Sequence, residues 1–229
     1  ADLLQRALDR PEHHRMVEVI RDSGGLLLSV INDVLDFSRI EAGKLDVEAA
    51  PFAPAGLVDR IVAQHAEAAR AKGLTLAGAA EVEGRRLGDE RRIMQILHNL
   101  VSNAVKFTDA GGVTVSASVV EGETILFEVR DTGVGMREED VARIFEPFRQ
   151  ADGTSTRRHG GSGLGMTIVQ RLVDAMAGDV AIETRPGAGS RFRVTIATGP
   201  LDGVPLLSDP VEAGRKAPPA AAPDTTAAL

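Results

Sequence analysis

A chain of 229 residues, 43% hydrophobic and 26% charged, is long enough for one sizeable core with an appendage, or for two small domains. Its 33 acidic residues outnumber 26 basic ones for a formal charge of -7, which argues against general attraction to nucleic acid or anionic membranes. With no cysteine it holds neither a disulfide framework nor a thiolate metal site, and with no apolar run near the roughly 20 residues that cross a bilayer and no signal-like start, a cytoplasmic setting is expected. The opening ADLLQRALDR lacks an initiator methionine and begins in an amphipathic run. That suggests a fragment of something longer and leaves membrane anchoring of the parent protein open.

Residues 1 to 46 read as helical, with a break at LDRPEHH where Asp9 and Pro11 suit the start of a second helix. In that second helix Met16, Ile20, Ser23, Leu27, Val30, Val34 and Phe37 alternate steps of four and three, a coiled-coil-like seam. An amphipathic helix lying on its own domain's core has a similar pattern. Gly24 and Gly25 each cost about 1 kcal/mol relative to alanine, so the helix needs a partner to hold it.

After EAGKLDVEAAPF the pattern predicts a helix over about 54–72, a short strand near Leu74 to Leu76 and a strongly periodic helix from about Asp89 to Lys106. Two hairpin-like pairs follow, GVTVSASVV with TILFEVRD across EGE, and VAIET with RFRVTIA across RPGAGS. Between the pairs lie a short helix at about 137–145 and a longer one from about Leu164 to Met176. Hairpins interleaved with helices predict an α+β fold: a two-layer α/β sandwich with a mixed sheet covered on one face, preceded by a partial helical hairpin. The expected domains are residues 1–46, residues 47–199 and a flexible linker or tail over 200–229, which holds six of the 11 prolines and no aromatic residue.

Four stretches carry the chemistry. In NLVSNAVKFT, Asn99 and Asn103 are four apart and share a helix face, with Lys106 close to it. Alone, such a pair reads sooner as ordinary capping or network asparagines. DTGVGM, Asp131 to Met136, ends a predicted strand. A buried carboxylate there accepts from an amino group such as that of adenine, and Gly133 and Gly135 let backbone approach a flat ring, although Asp with Gly is also common turn chemistry. FEPFRQ sets Phe145 and Phe148 around Pro147, as anchors for a mobile loop or as plain core. HGGSGLGM places Gly160, Gly161, Gly163 and Gly165 before a helix whose first amides and dipole favour phosphate oxygens. It is not a Walker loop, since Met166 and Thr167 stand where lysine and Ser or Thr are needed, and it lacks the spacing and context of a dinucleotide fingerprint.

Taken in order, N-x-x-x-N-A-x-K-F, D-x-G-x-G, F-x-P-F and G-x-G-x-G resemble the N, first glycine, phenylalanine and second glycine boxes of sensor histidine kinases. These share an ATP-binding superfamily with type II topoisomerases and MutL proteins. The resemblance covers roughly residues 47–198, where GAGSRFRVTI resembles the closing strand, and VINDVLDFSRIEAGKLDVE resembles the end of the dimerisation helix. It implies the histidine-kinase ATP-binding fold, with ATP and Mg2+ as cofactors. It further implies that Asn103 coordinates magnesium, Asp131 recognises the adenine amino group, and Gly133 and Gly135 flank the base. Asn99 and Lys106 would meet the phosphates as the catalytic pair. Gly161, Gly163, Leu164 and Gly165 would wrap the triphosphate under a lid spanning about 149–162, from which Arg157, or in its place Arg158, reaches phosphate. A single asparagine suits magnesium, which keeps waters and bridges phosphate oxygens with few protein ligands.

In hydrolysing members of the superfamily a glutamate four residues before the metal-binding asparagine activates water. Asn99 stands there and cannot act as a base at neutral pH, which favours transfer to a protein. The kinase family carries its acceptor histidine in a motif like H-E-x-x-T-P, and none of His13, His14, His65, His98 and His159 lies in such a context. Residues 1–9 then read as the remnant of the first dimerisation helix. The expectation is a catalytic part that cannot phosphorylate itself, forms a homodimer through the helical hairpin and contacts neither nucleic acid nor membrane. It would send the γ-phosphate to a histidine outside this chain, for relay to a response regulator or receiver domain, to which the tail of a hybrid kinase would link. The alternatives are a hydrolysing ATPase that switches conformation and a noncatalytic dimerisation or regulatory module.

Overall fold

The steps of four and three in the first segment give one long helix, α1, Pro11–Glu41, with proline at the position that needs no amide donor. The computed structural model describes residues 11–43, 45–120, 122–149 and 162–199, so the expected remnant of an earlier helix over residues 1–9 and the tail lie outside the described residues. The seam packs on the chain's own domain only at its C-terminal end, and its N-terminal part is exposed. Met16 and Ile20 are 65% exposed and Leu27 61%, whereas Phe37 and Ile40 pack against the core of the chain's own domain. No helix among the described residues is long and apolar enough to cross a membrane.

A three-residue strand, β1 (Ala50–Phe52), leads into α2 (Pro54–Ala71) and pairs antiparallel with β3 (Arg86–Gly88). Neither strand is visible in the sequence, because three residues are too few to show alternation. Between them β2 (Thr75–Glu81) is longer than the expected 74–76. Its TLAGAAE composition is poor for a strand, and parallel pairing with β4 (Gly112–Val119), from Thr75 opposite Gly112 to Glu81 opposite Ser118, imposes the extension. Gly78 allows α2 to lie close, since a Cβ there would come within 2.8 Å of the Val58 side chain.

The periodic helix is α3, Glu90–Phe107, which buries Ile93, Ile96, Leu97, Leu100, Val101 and Ala104 along one face. Asp89 starts it: one carboxylate oxygen accepts from the Arg92 amide at 3.1 Å and the other from the Glu48 amide at 3.0 Å. At the far end the Lys72 ammonium donates to the carbonyls of Val105 and Lys106, both at 2.8 Å, satisfying acceptors that have no intrahelical donor. Lys72→Met keeps the stem and removes this cap, so a loss of about 1–2 kcal/mol in urea unfolding is expected.

The main sheet runs β2-β4-β5-β7-β6, with β5 (Thr124–Asp131), β6 (Asp179–Thr184) and β7 (Ser190–Ala197) joined antiparallel. The single parallel pair makes it mixed. Alternate residues of the central strands, among them Val113, Val115, Ile125, Phe127, Val194 and Ile196, are buried beneath α2, α3 and α5 (Gly165–Ala175), while α4 (Glu138–Val141) is a single turn. The architecture is the expected α+β two-layer sandwich.

One buried polar group inside this core has a consequence for stability. His65 of α2 is 9% exposed, its ring lies 4.9 Å from that of His98 on α3, and its Nε2 has no partner among the described residues. Burial, and then the neighbouring His98, push its pKa from 6.5 down to about 4. Above pH 6.5 neither folded nor unfolded chain is protonated here. Between 6.5 and 4 the unfolded chain takes up the proton first, so stability falls as pH falls, by up to about 3 kcal/mol. Denaturant melts at pH 7 and pH 4.5 should show that loss, and His65→Leu should reduce it.

Candidate functional site

The strand ending at Asp131 and the helix carrying both asparagines meet at their ends. The Val134 amide donates to the Phe107 carbonyl at 3.2 Å, which fastens the DTGVGM loop to the last residue of α3. Gly133 is required at that contact, since a Cβ would collide with the Phe107 carbonyl oxygen. Gly135, at φ 63°, leaves no space for a Cβ beside the Arg185 carbonyl of the β6–β7 turn. Both glycines thus let the loop approach neighbouring backbone on two sides.

Asp131 is 7% exposed. Its Oδ1 accepts from the amides of Gly133 at 2.8 Å and Ser190 at 3.2 Å, and Oδ2 has no hydrogen bond among the described residues. Burial raises its pKa above the ordinary carboxylate value, and the two amides act in the opposite direction. A buried carboxylate with one uncommitted oxygen gains most from a neutral or cationic donor such as an amino group.

On α3, Asn99, Asn103 and Lys106 are half-buried and share the face expected from their spacing. The Asn99 side-chain amide donates to the Gly165 carbonyl at 3.3 Å, joining α3 to the first residue of α5. Asn103 makes no side-chain hydrogen bond among the described residues, so its amide is available to a ligand. The Lys106 ammonium lies 4.9 Å from the Phe107 ring centroid, and burial lowers its pKa from the ordinary value.

The start of α5 supplies first-turn amides with no acceptor inside the helix. Gly163, at φ 71°, packs on the backbone of Phe148 and Arg149 and accepts from the Phe148 amide at 3.1 Å, while the Thr167 hydroxyl donates to the Phe145 carbonyl at 2.9 Å. The glycine and phenylalanine stretches are therefore joined. Leu164 is fully buried and packs in the core. Gly161, Arg157 and Arg158 lie outside the described residues. The two phenylalanines divide: Phe145 packs on the core, and the exposed Phe148, at φ 61°, sets its ring edge-on to Phe37 of α1 at 6.3 Å. Nearby, the Ser162 hydroxyl donates to Asp33 at 2.6 Å and the Gln95 side chain to Asp36 at 2.7 Å, so the lower part of α1 is docked beside the site.

Sequence patterns did not single out Ser190 and Thr184, which support the Asp131 loop from the β6–β7 side; the only signal was a hydroxyl residue directly after GAG. A recess of about 600 Å³ opens at the strand ends, lined by Asp131, Thr184 and Ser190 together with Arg130, Glu183 and Arg191.

Residues 88–200 match the family described as Histidine kinase-, DNA gyrase B-, and HSP90-like ATPase. The chain is 43% identical over 188 residues to the signal transduction histidine-protein kinase BarA of Escherichia coli (strain K12), covering 80% of this chain and 20% of BarA. It is 37% identical over 227 residues to the autoinducer 2 sensor kinase/phosphatase LuxQ of Vibrio parahaemolyticus, covering 96% of this chain and 26% of LuxQ. A crystal structure of full-length ShkA in complex with AMPPNP superposes with a TM-score of 0.73 at 39% identity, covering 86% of this chain and 42% of ShkA. The chain thus spans about a fifth to a quarter of the length of the two curated kinases. Ordered motifs, mixed sheet and relatives agree: residues 88–200 belong to the histidine kinase-, DNA gyrase B-, and HSP90-like ATPases, and the chain carries this ATPase domain as a homologue of sensor histidine kinases.

Proposed function

We propose that this chain binds ATP with magnesium and passes the γ-phosphate to a histidine on a dimerisation helix of its parent protein, for relay to an aspartate of a response regulator or receiver domain. The observation that carries the reading is the Asp131 carboxylate, buried, half-committed to backbone amides and left with one acceptor oxygen. In this reading that oxygen takes the adenine amino group, with Gly133 and Gly135 flanking the base. Asn99, Lys106 and the amides of Gly163, Leu164 and Gly165 hold the phosphates, joined by Gly161 and Arg157. Asn103 fits a magnesium ion that relies on phosphate oxygens and water, since no three His, Cys, Asp or Glu side chains come together as a metal cage among the described residues. Magnesium, when bound, neutralises charge on the phosphoryl group in flight.

Asn99 has no basic atom to activate water, which supports transfer to a protein over hydrolysis. The exposed apolar seam of α1, with Met16, Ile20 and Leu27, fits a second copy of the helix in a homodimer. Residues 200–229 fit a linker toward a receiver domain.

The reading is tested with magnesium and γ-labelled ATP, supplied to this chain alone and with a separate helical hairpin carrying an acceptor histidine. Acid-labile, alkali-stable label is expected on the added hairpin and none on the chain. Label on the chain itself, or phosphate release indifferent to the hairpin, overturns it.

A further inference from the structure

We infer that Thr184 is a positioning residue that sets the orientation of Asp131 and so the base end of the site; the inference rests on the assignment of Asp131 to the base. Thr184 ends β6 and is half-buried. A threonine hydroxyl offers one proton and two lone pairs, and here all three are engaged. It accepts from the Met136 amide at 2.9 Å, donates to the Gly189 carbonyl at 2.9 Å, and meets the Ser190 hydroxyl at 3.0 Å, where serine supplies the proton.

Each of those partners bears on Asp131. Met136 closes the loop that Asp131 opens. Gly189, at φ 80°, packs so tightly on the Asp131 carbonyl that no Cβ fits between them. The Ser190 amide donates to Asp131 Oδ1 at 3.2 Å. The same loop and turn are sealed by the Gly187 amide, which donates to the Val134 carbonyl at 2.8 Å. Among the described residues, the Thr184 hydroxyl is the one side-chain group that bonds both the far end of the loop and Ser190, one of the two residues holding Oδ1. Without it, the Met136 amide and the Ser190 hydroxyl lose their shared partner, and the carboxylate loses the frame that leaves Oδ2 free for a ligand.

The test compares Thr184→Val, nearly the same shape without the hydroxyl's bonds, with Thr184→Ser, which keeps them. Calorimetry on the 229-residue chain with magnesium measures ATP and inosine triphosphate, whose base carries an oxygen in place of the amino group. Thr184→Val should raise the ATP Kd about tenfold at unchanged stoichiometry and narrow the preference for ATP, and Thr184→Ser should restore both to within about twofold. A fall in stoichiometry at unchanged Kd, as partial unfolding gives, or an unaltered preference in Thr184→Val, overturns the inference. Asp131→Asn separates the two layers. If it keeps the preference for ATP, the base assignment itself falls; if it loses the preference while Thr184→Val keeps it, only the role of Thr184 falls.

Discussion

Asp131→Asn is expected to weaken ATP binding by roughly a hundredfold or more while leaving the fold at least as stable. The substitution preserves shape and reverses the hydrogen bonding of one arm. If the asparagine oxygen takes the place of Oδ1, accepting from Gly133 and Ser190, its amino group occupies the position of Oδ2 and faces an incoming donor. Turned the other way, the amino group faces two backbone N–H groups. Either orientation sets donor against donor in a site that is 7% exposed, where an unmatched polar group costs about 1–3 kcal/mol beyond the lost bond. Stability moves the other way. Burial raises the folded pKa of Asp131, so the ionised carboxylate disfavours folding once the pH exceeds that pKa, and a neutral amide removes the burden. Calorimetry with ATP and magnesium, beside a thermal melt, separates the two effects; equal affinity for ATP would contradict the assignment.

Asn103→Ala should leave folding intact and reduce phosphoryl transfer by about a thousandfold. The wild-type side chain makes no hydrogen bond among the described residues, and alanine is the better helix former, so stability should rise by a few tenths of a kcal/mol. The loss belongs to the metal-dependent step alone. ADP binding in the presence of a chelator should therefore stay within about twofold of wild type, while transfer to an added hairpin collapses. Transfer at the wild-type rate would remove Asn103 from the metal role.

What was legible in the sequence depended on how local the deciding interactions are. α3 shows its period and the shared face of Asn99, Asn103 and Lys106 within 18 residues. β4 and β5 show alternation because one face packs on helices and the other does not. The extension of β2 is imposed by a neighbouring strand and leaves no mark in TLAGAAE. The same holds around the site. Asp131 and its glycines form an ordered motif, whereas Ser190 reaches Asp131 across 59 positions and Thr184 reaches Met136 across 48, through backbone atoms that carry no sequence pattern. The docking of α1 through Asp33, Asp36 and Phe37 was equally hidden, since the seam spacing does not say which of its residues face the chain's own domain.

The site is tested most directly by titrating the isotope-labelled chain with magnesium and AMPPNP under NMR observation. The backbone amides of Gly133, Gly135, Gly163, Leu164 and Gly165 and the side-chain amides of Asn99 and Asn103 should move together along one saturable curve. A titration that leaves those signals in place and, of the residues lining the strand-end recess, moves Arg130, Glu183 and Arg191 but not Asp131 would contradict the nucleotide site between α3, the Asp131 loop and the start of α5.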